Sequence, residues 1–223
     1  MTEKNQQIYN DFQLVYNNLA SNAAAGLDIY EISMYLTKAY YAFVESMYSD
    51  YEKKESVRKA LIELVTTNNI PPTSGMNTKK ICKDSTFFKL PDDVLFIVYE
   101  GLQMGDNAGK CIKGKTLPII PVTHDDFHNV YRNPFKFTET NALRLDVDFN
   151  NERYSEIVSK DNHIKNYFIR YVRKPKPIIL ENLEGTDNID GYTNEMECEL
   201  NTIYYKDIVR VAAQLAYSDY KSW

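Results

Sequence analysis

The chain has 223 residues, 43% hydrophobic and 26% charged, as is typical of a globular protein that buries a core without metals or disulfides. The formal net charge of −5 argues against a protein that binds nucleic acid through bulk positive charge. The three cysteines lie far apart and form no CxxC pair, which argues against a disulfide framework and favours a reducing compartment.

The N-terminal sequence has no basic segment followed by an apolar run, so we expect no signal peptide. No apolar stretch approaches the roughly 20 residues that span a bilayer, and we expect no membrane partner. Tyrosine is frequent, with 18 residues against one tryptophan. Because tyrosine joins an apolar ring to a polar hydroxyl, this favours a protein-binding surface, but an AT-rich genome explains it equally well.

The first 70 residues predict three helices. Apolar residues at spacings of three and four predict the first helix from about residue 4 to 20. Asp28 and Glu31 have the spacing of a capping box, which predicts the start of a second helix with a broad apolar face. A third helix is predicted over residues 55–66, ended by the asparagines and prolines that follow.

The middle of the chain predicts strands. After a polar connection at residues 71–85, the sequence becomes rich in aromatic and β-branched residues, and short segments alternate with a period of two. The stretch THDDFHNVYRNPF predicts a short helix that Pro134 ends. Residues 181–199 carry acids and no Lys or Arg, which predicts an acidic solvated loop, and a last helix is expected from about 202 to 220.

These elements predict an α+β fold: N-terminal helices, a central, mostly antiparallel β-rich region with a short inserted helix, and a C-terminal helix. We expect a helical part at 1–70, a linker at 71–85, and a β-rich core with the C-terminal helix at 86–223, packed with the helices as one compact unit. The loops at 71–85, 105–115 and 181–199 are candidates to order only on assembly.

No catalytic, cofactor or metal site is predicted. The segment GDNAGKC lacks the first glycine of a phosphate-binding loop, because Met104 stands there, and Cys111 replaces the hydroxyl residue. The segment DVDFNN begins like a calcium loop, but Asn151 and Ile157 occupy the glycine and glutamate positions, so a turn between strands explains it better.

His124 and His128 lie one helical turn apart, so both side chains can reach one metal ion. No third ligand has a recognisable spacing, and an exposed helix start explains the pair better. The sequence also lacks the known nucleophile and dinucleotide motifs. It therefore gives no positive reason to predict an enzyme or a cofactor.

The stretch YVRKPKPIIL, residues 171–180, follows a good strand pattern with two prolines. Proline cannot donate to a sheet ladder, so the stretch must be an edge, a rim or an extended arm. Either the arm docks on a neighbouring molecule, or it leaves the sheet and packs on its own domain. The first interpretation makes this stretch the candidate protein interface, formed by Tyr171, Arg173, Lys174, Pro175, Lys176, Pro177, Ile178, Ile179 and Leu180.

The order of four segments resembles head–tail connector proteins of tailed bacteriophages, and most closely the neck ring or adaptor proteins of crAss-like phages. The segments are LPDDVLFIVYEGL, PVTHDDFHNVYRNPF, YFIRYVRKPKPIIL and CELNTIYYKDIVRVAAQLA. The similar region covers about Phe87 to the C-terminus, and the family pattern brings no active-site residues.

The resemblance implies a virion structural protein that is made in the bacterial host cytoplasm and assembles beneath the portal as a homo-oligomeric ring, with twelve copies expected. Its partners would be the portal protein and other neck or tail proteins, with DNA only passing through the lumen. Such a ring joins neighbours by heterologous contacts, in which one surface meets a different surface next door.

Three other interpretations stay open. The chain is another virion component, such as a tail terminator or head-completion protein, although its helical N-terminus argues mildly against this. It is a small non-structural phage enzyme, which a pocket holding His124, Asp125 and His128 would support. It is a regulatory module that binds nucleic acid, which the net charge and the lack of a basic stripe disfavour.

Overall fold

A computed structural model describes residues 1–20, 26–51, 53–75, 80–185 and 187–221. The chain divides into two compact units. The helical unit comprises residues 1–64 and 174–223, and the sheet unit comprises residues 65–173. The predicted linker at 71–85 therefore lies within the sheet unit. The architecture of helices, a curled and mostly antiparallel sheet, a short helix and a final helix confirms the predicted α+β class.

The helical unit is built from α1 (Glu3–Ala20), α2 (Ile29–Tyr48), α3 (Glu55–Ala60) and α5 (Tyr205–Lys221). Helix α5 packs against both α1 and α2. The buried face of α5 consists of three alanines and three larger residues, namely Ala212, Ala213, Ala216, Tyr205, Ile208 and Val209. The partner helices contribute large core side chains that include Ile8, Phe12, Ile32, Leu36 and Tyr40.

The predicted capping box at the start of α2 is confirmed. The Asp28 carboxylate accepts the backbone N–H of Glu31 at 2.7 Å, and the Glu31 carboxylate accepts the N–H of Asp28 at 3.0 Å. The predicted third helix was too long. It ends at Ala60, and residues 65–70 form a strand instead, because Val65, Thr66 and Thr67 are β-branched and pair with a partner strand.

The sheet unit holds seven strands: β1 (Val65–Ile70), β2 (Ser85–Lys89), β3 (Val94–Met104), β4 (Thr116–Pro121), β5 (Ala142–Phe149), β6 (Glu152–Val158) and β7 (Ile164–Arg173). They are ordered β1-β7-β3-β4-β5-β6-β2. All neighbours are antiparallel except β4 and β5, whose parallel pairing requires the crossover that contains α4 (Phe127–Tyr131).

The sheet curls so that its two end strands come together. After β1, Thr73 forms a bridge to Phe87 of β2, with its N–H donating to the Phe87 carbonyl at 2.8 Å. The largest apolar cluster of this unit includes Phe88, Leu102 and Ile169. A second cluster, with Phe127, lies beneath the crossover. The DVDFNN segment covers the end of β5 and the tight turn at Asn150 and Asn151 that leads into β6.

That turn explains its two asparagines. Asn150 and Asn151 both have positive φ, 56° and 63°. Asparagine tolerates this left-handed conformation better than most residues, as two-residue hairpins of this type require. The turn interpretation of this segment is therefore confirmed.

Candidate assembly surface

The proline stretch leaves the sheet where β7 ends, at Arg173. In the sheet unit, Tyr171 is buried and its hydroxyl donates to Asp93 Oδ1 at 3.0 Å. Burial, and then this hydrogen bond, raise the pKa of Tyr171 to about 12. Arg173 is half-buried at the strand end.

In the helical unit, Ile178, Ile179 and Leu180 are completely buried. The backbone groups of Ile178 and Leu180 bond to side chains of α2. The Thr37 hydroxyl accepts the Ile178 N–H at 3.1 Å and lies 3.2 Å from the Ile178 carbonyl, to which it donates. The Leu180 N–H donates to Ser33 Oγ at 3.2 Å. Side chains of α2 thus replace the hydrogen-bond partners that a neighbouring strand would supply. Because no sheet ladder runs through this segment, the missing N–H groups of Pro175 and Pro177 leave no ladder hydrogen bond unmade.

Two further contacts hold the middle of the stretch. Asn5 of α1 is fully buried, and its amide donates to the Ile179 carbonyl at 3.1 Å. On the other side, Ile179 and Met196 exchange two backbone hydrogen bonds, of 3.0 and 2.9 Å. Residues 178–180 therefore form a buried, hydrogen-bonded segment inside the helical unit.

The acidic loop is more than a solvated connection, because its alternate carboxylates bind the helical unit. Glu195 accepts the Asn5 amide at 2.9 Å, and Glu197 pairs with Lys4 at 2.9 Å. Glu199 accepts the backbone N–H of Lys176 at 3.0 Å. These acids fasten the loop to the N-terminal helix and to the proline stretch.

Lys174 joins the stretch to a tight turn of the same loop. Its ammonium lies 2.8 Å from Asp190 Oδ2 and 4.9 Å from the centre of the Tyr41 ring. The Tyr41 hydroxyl donates to the same carboxylate oxygen at 2.8 Å. The hydrogen bond from Lys174, followed by that from Tyr41, holds the pKa of Asp190 below its usual range.

The predicted interface residues thus differ in exposure. Lys174 and Lys176 are exposed and Arg173 is half-buried. The others are buried, namely Tyr171, Pro175, Pro177, Ile178, Ile179 and Leu180. Of the two interpretations of the arm, packing on its own domain describes residues 178–180 in this structure. A contact of the stretch with a neighbouring molecule stays a prediction, for which the two lysines are the accessible groups.

Thr37→Val should lower the free energy of unfolding by about 2 kcal/mol, because it leaves the Ile178 N–H and carbonyl buried without their partner. The valine keeps the shape of threonine, so packing changes little. Chemical denaturation followed by circular dichroism measures the effect. Thr37→Ser keeps the hydroxyl and should recover most of the loss; equal stability of both variants with wild type would contradict the role of this hydroxyl.

Sequence reasoning missed Asn5, Ser33 and Thr37. A signal for the last two was present, because they are polar residues at i and i+4 within the broad apolar face of α2. Buried polar groups at that spacing must bond to something, and helix side chains of this kind bond to nearby backbone. The partner segment, more than 140 residues away, has no such signal.

His124 and His128 do not converge on one group, and only His128 lies in α4. His124 Nε2 lies 3.1 Å from the Asp146 carbonyl, whereas the His128 ring packs 5.5 Å from that of Phe127. Among the residues that the structure describes, no cluster of three or more His, Cys, Asp or Glu side chains has the geometry to hold a metal ion. Within the same described ranges, no helix is both long and apolar enough to cross a bilayer.

Comparison with known proteins matches residues 1–222 to the family described as phage tail ring protein 3/4. Ring protein 3 of Bacteroides phage crAss001 is 33% identical over 223 residues, covering 95% of this chain and 94% of that protein. Ring protein 4/5 of the same phage is 30% identical over 227 residues, covering 95% of this chain and 91% of that protein.

Proposed function

Because the chain belongs to the phage tail ring protein 3/4 family, we propose that it is a ring-forming head–tail connector that joins the portal to the tail and extends the DNA conduit. The observation that carries this proposal is the similarity over nearly the whole length to ring proteins of a crAss-like phage. We propose a structural rather than an enzymatic role, which the match to ring proteins supports.

The ring would act by its shape. Copies of the chain, twelve in this proposal, would meet through heterologous contacts, with the portal on one side and further neck or tail proteins on the other. The net charge of −5 suits a conduit for DNA, because a basic lumen would bind the phosphates and hinder passage. Lys174 and Lys176 would then contact protein rather than DNA.

The connector role is tested by removing the gene from the phage and imaging the particles by electron microscopy. We expect DNA-containing heads that lack tails, and wild-type protein supplied from a plasmid should restore complete particles. Complete particles without this protein would contradict the proposal. Tails of altered length on joined heads would favour a tail terminator instead.

Lys176→Glu tests the exposed part of the proline stretch as a protein contact. The Lys176 side chain is exposed, and the residue bonds to Glu199 through its backbone N–H, which the substitution keeps. The fold should therefore be unaffected. We expect about tenfold less protein in particles, since reversing a charge at an interface opposes a complementary partner. Lys206→Glu, at an exposed position of the same unit, is the matched control. Equal incorporation of both variants at the wild-type level would remove Lys176 from the interface.

A further inference from the structure

Phe135 is the most exposed large hydrophobic residue among those described, with 92% of its surface accessible. Its loop, which follows α4, is held in place by hydrogen bonds. The Phe135 N–H donates to Asn133 Oδ1 at 3.0 Å, and the Phe137 N–H donates to the Asn133 carbonyl at 3.0 Å. The Asn141 amide donates to the Lys136 carbonyl at 2.9 Å. The aromatic side chain of Phe135 is therefore presented on an ordered loop, so this loop would lose little conformational entropy when a partner binds it.

The fold does not use Phe135 in its core. Phe137, two residues later, is buried and stacks on Tyr131 with ring centres 5.3 Å apart. Tyr131 stacks in turn on Phe127, also at 5.3 Å. These three rings fill the cluster beneath the crossover, and Phe135 points away from it. An exposed aromatic on an ordered loop is typical of an interface anchor.

The same unit carries an open cleft of about 390 Å³ between the end of β1 and the end of β2. Three prolines, Pro71, Pro72 and Pro91, form its apolar wall above the buried side chains of Ile70 and Leu90. Polar residues line the rest of it, namely Asn68, Asn69, Thr73, Lys89 and Asp92. An aromatic side chain can pack against the proline wall of such a cleft.

The Phe135 loop and the cleft lie at opposite ends of β2. Ser85 begins this strand opposite Val158, which belongs to the cluster beneath the Phe135 loop. Lys89 ends the strand opposite Tyr154 and lines the cleft. The four intervening steps separate these ends by about 13 Å. Because the two features are separate on the unit, one copy can offer its Phe135 loop to a neighbour while its own cleft receives another copy.

The basic residues Arg132 and Lys136 flank Phe135 and are exposed. The cleft carries one charge of each sign, Lys89 and Asp92, and Lys89 is already paired with Glu152. Asp92 is therefore the charged group of the cleft that can face the basic residues of a neighbouring copy.

We propose that Phe135 of one copy inserts into the proline-lined cleft of the next copy, and that this contact, repeated head-to-tail, links the subunits of the ring. The proposal rests on the ring-forming function above and names the surfaces that it would use. A heterologous contact of this kind closes a ring when the rotation between copies divides a full turn.

Particles from a phage that lacks the gene, complemented with plasmid-encoded variants, test this contact. Phe135→Ala should reduce the number of copies per particle at least about tenfold, as expected for the loss of an aromatic anchor. Phe135→Tyr should be incorporated normally. The purified Phe135→Ala chain should melt at the wild-type temperature, because the side chain is exposed. Ile62→Ala, at an exposed position of the helical unit, is the control.

A cross-linking variant tests the geometry directly. Phe135→Cys with Asn69→Cys, in a Cys111→Ser background, places one thiol on the loop and one at the cleft. Oxidised particles should give a ladder of linked copies, and Phe135→Cys with Asn107→Cys should not. Normal incorporation of Phe135→Ala together with no ladder would overturn the proposed contact and leave the ring function standing. Absence of the wild-type chain from particles would overturn both.

Discussion

Replacing Ile178 by alanine is expected to lower the free energy of unfolding of the helical unit by about 2–5 kcal/mol. The side chain has no accessible surface, and its backbone is bonded on both sides to Thr37 of α2. Truncation would leave a cavity among side chains that cannot close around it, so the loss combines transfer and cavity terms. If the stretch were instead an arm that docks on a neighbouring molecule, as one interpretation of the sequence has it, truncation of residues 178–180 would weaken assembly and leave the monomer folded.

Urea denaturation followed by far-ultraviolet circular dichroism measures the change. Ile203→Ala is the matched control, because Ile203 lies in the same unit and is 75% exposed. Its change should stay below about 0.5 kcal/mol. If Ile178→Ala denatures at the wild-type concentration of urea, residues 178–180 do not form a buried segment that stabilises the helical unit.

Replacing Glu100 by alanine is expected to destabilise the sheet unit by about 2–4 kcal/mol. Glu100 on β3 accepts from Arg144 on β5 at 3.2 Å and from the Tyr167 hydroxyl on β7 at 2.6 Å. The charged side chains are only 11% and 12% exposed, so removal of the carboxylate leaves a cation and a hydroxyl in a poorly solvated place. Asp146, at 3.4 Å from Arg144, is exposed and offsets part of this loss.

The double variant Glu100→Leu with Arg144→Met distinguishes the effect of an unpaired buried charge from the effect of lost packing. Because it removes both charges and keeps apolar volume, it should recover most of the stability that Glu100→Ala loses. Glu55→Ala removes one partner of an exposed pair on α3 and should change stability too little to resolve. A double variant no more stable than Glu100→Ala would show that lost packing, not an unpaired charge, causes the effect.

The Glu100 carboxyl makes the free energy of unfolding depend on pH, and the direction of the change can be stated. Burial raises the pKa of Glu100 above its usual value, although Arg144 and Tyr167 oppose the shift. The folded chain therefore holds this proton to a higher pH than the unfolded chain does. As pH rises from the unfolded pKa through the folded pKa, this group lowers stability. The difference in stability between wild type and Glu100→Gln should change over that interval and stay constant above it.

The helices, most strands and the short inserted helix could be predicted because their signals are local. The capping box at Asp28 and the alternation along β7 depend on neighbouring residues only. The end of the third helix could not, since residues 65–70 become a strand by pairing with β7, about 100 positions away. Long-range pairing overrides weak local preference in such segments.

The fate of the proline stretch was harder to predict for the same reason. Two prolines exclude a central strand, but they do not say which surface receives Ile178 and Leu180. That surface is supplied by Asn5, Ser33 and Thr37, which no local pattern links to the stretch. Phe135 was missed because a sequence does not distinguish an aromatic residue that projects from one that packs.

We propose that copies of this chain form a ring in the virion, between the portal and the tail. Cryo-electron microscopy of the phage particle, reconstructed around the portal–tail axis, is the decisive measurement. We expect a closed ring of this chain next to the portal, with density for Phe135 against the proline-lined cleft of a neighbouring copy. Particles with a complete neck and tail but no copy of this chain on the axis would contradict it.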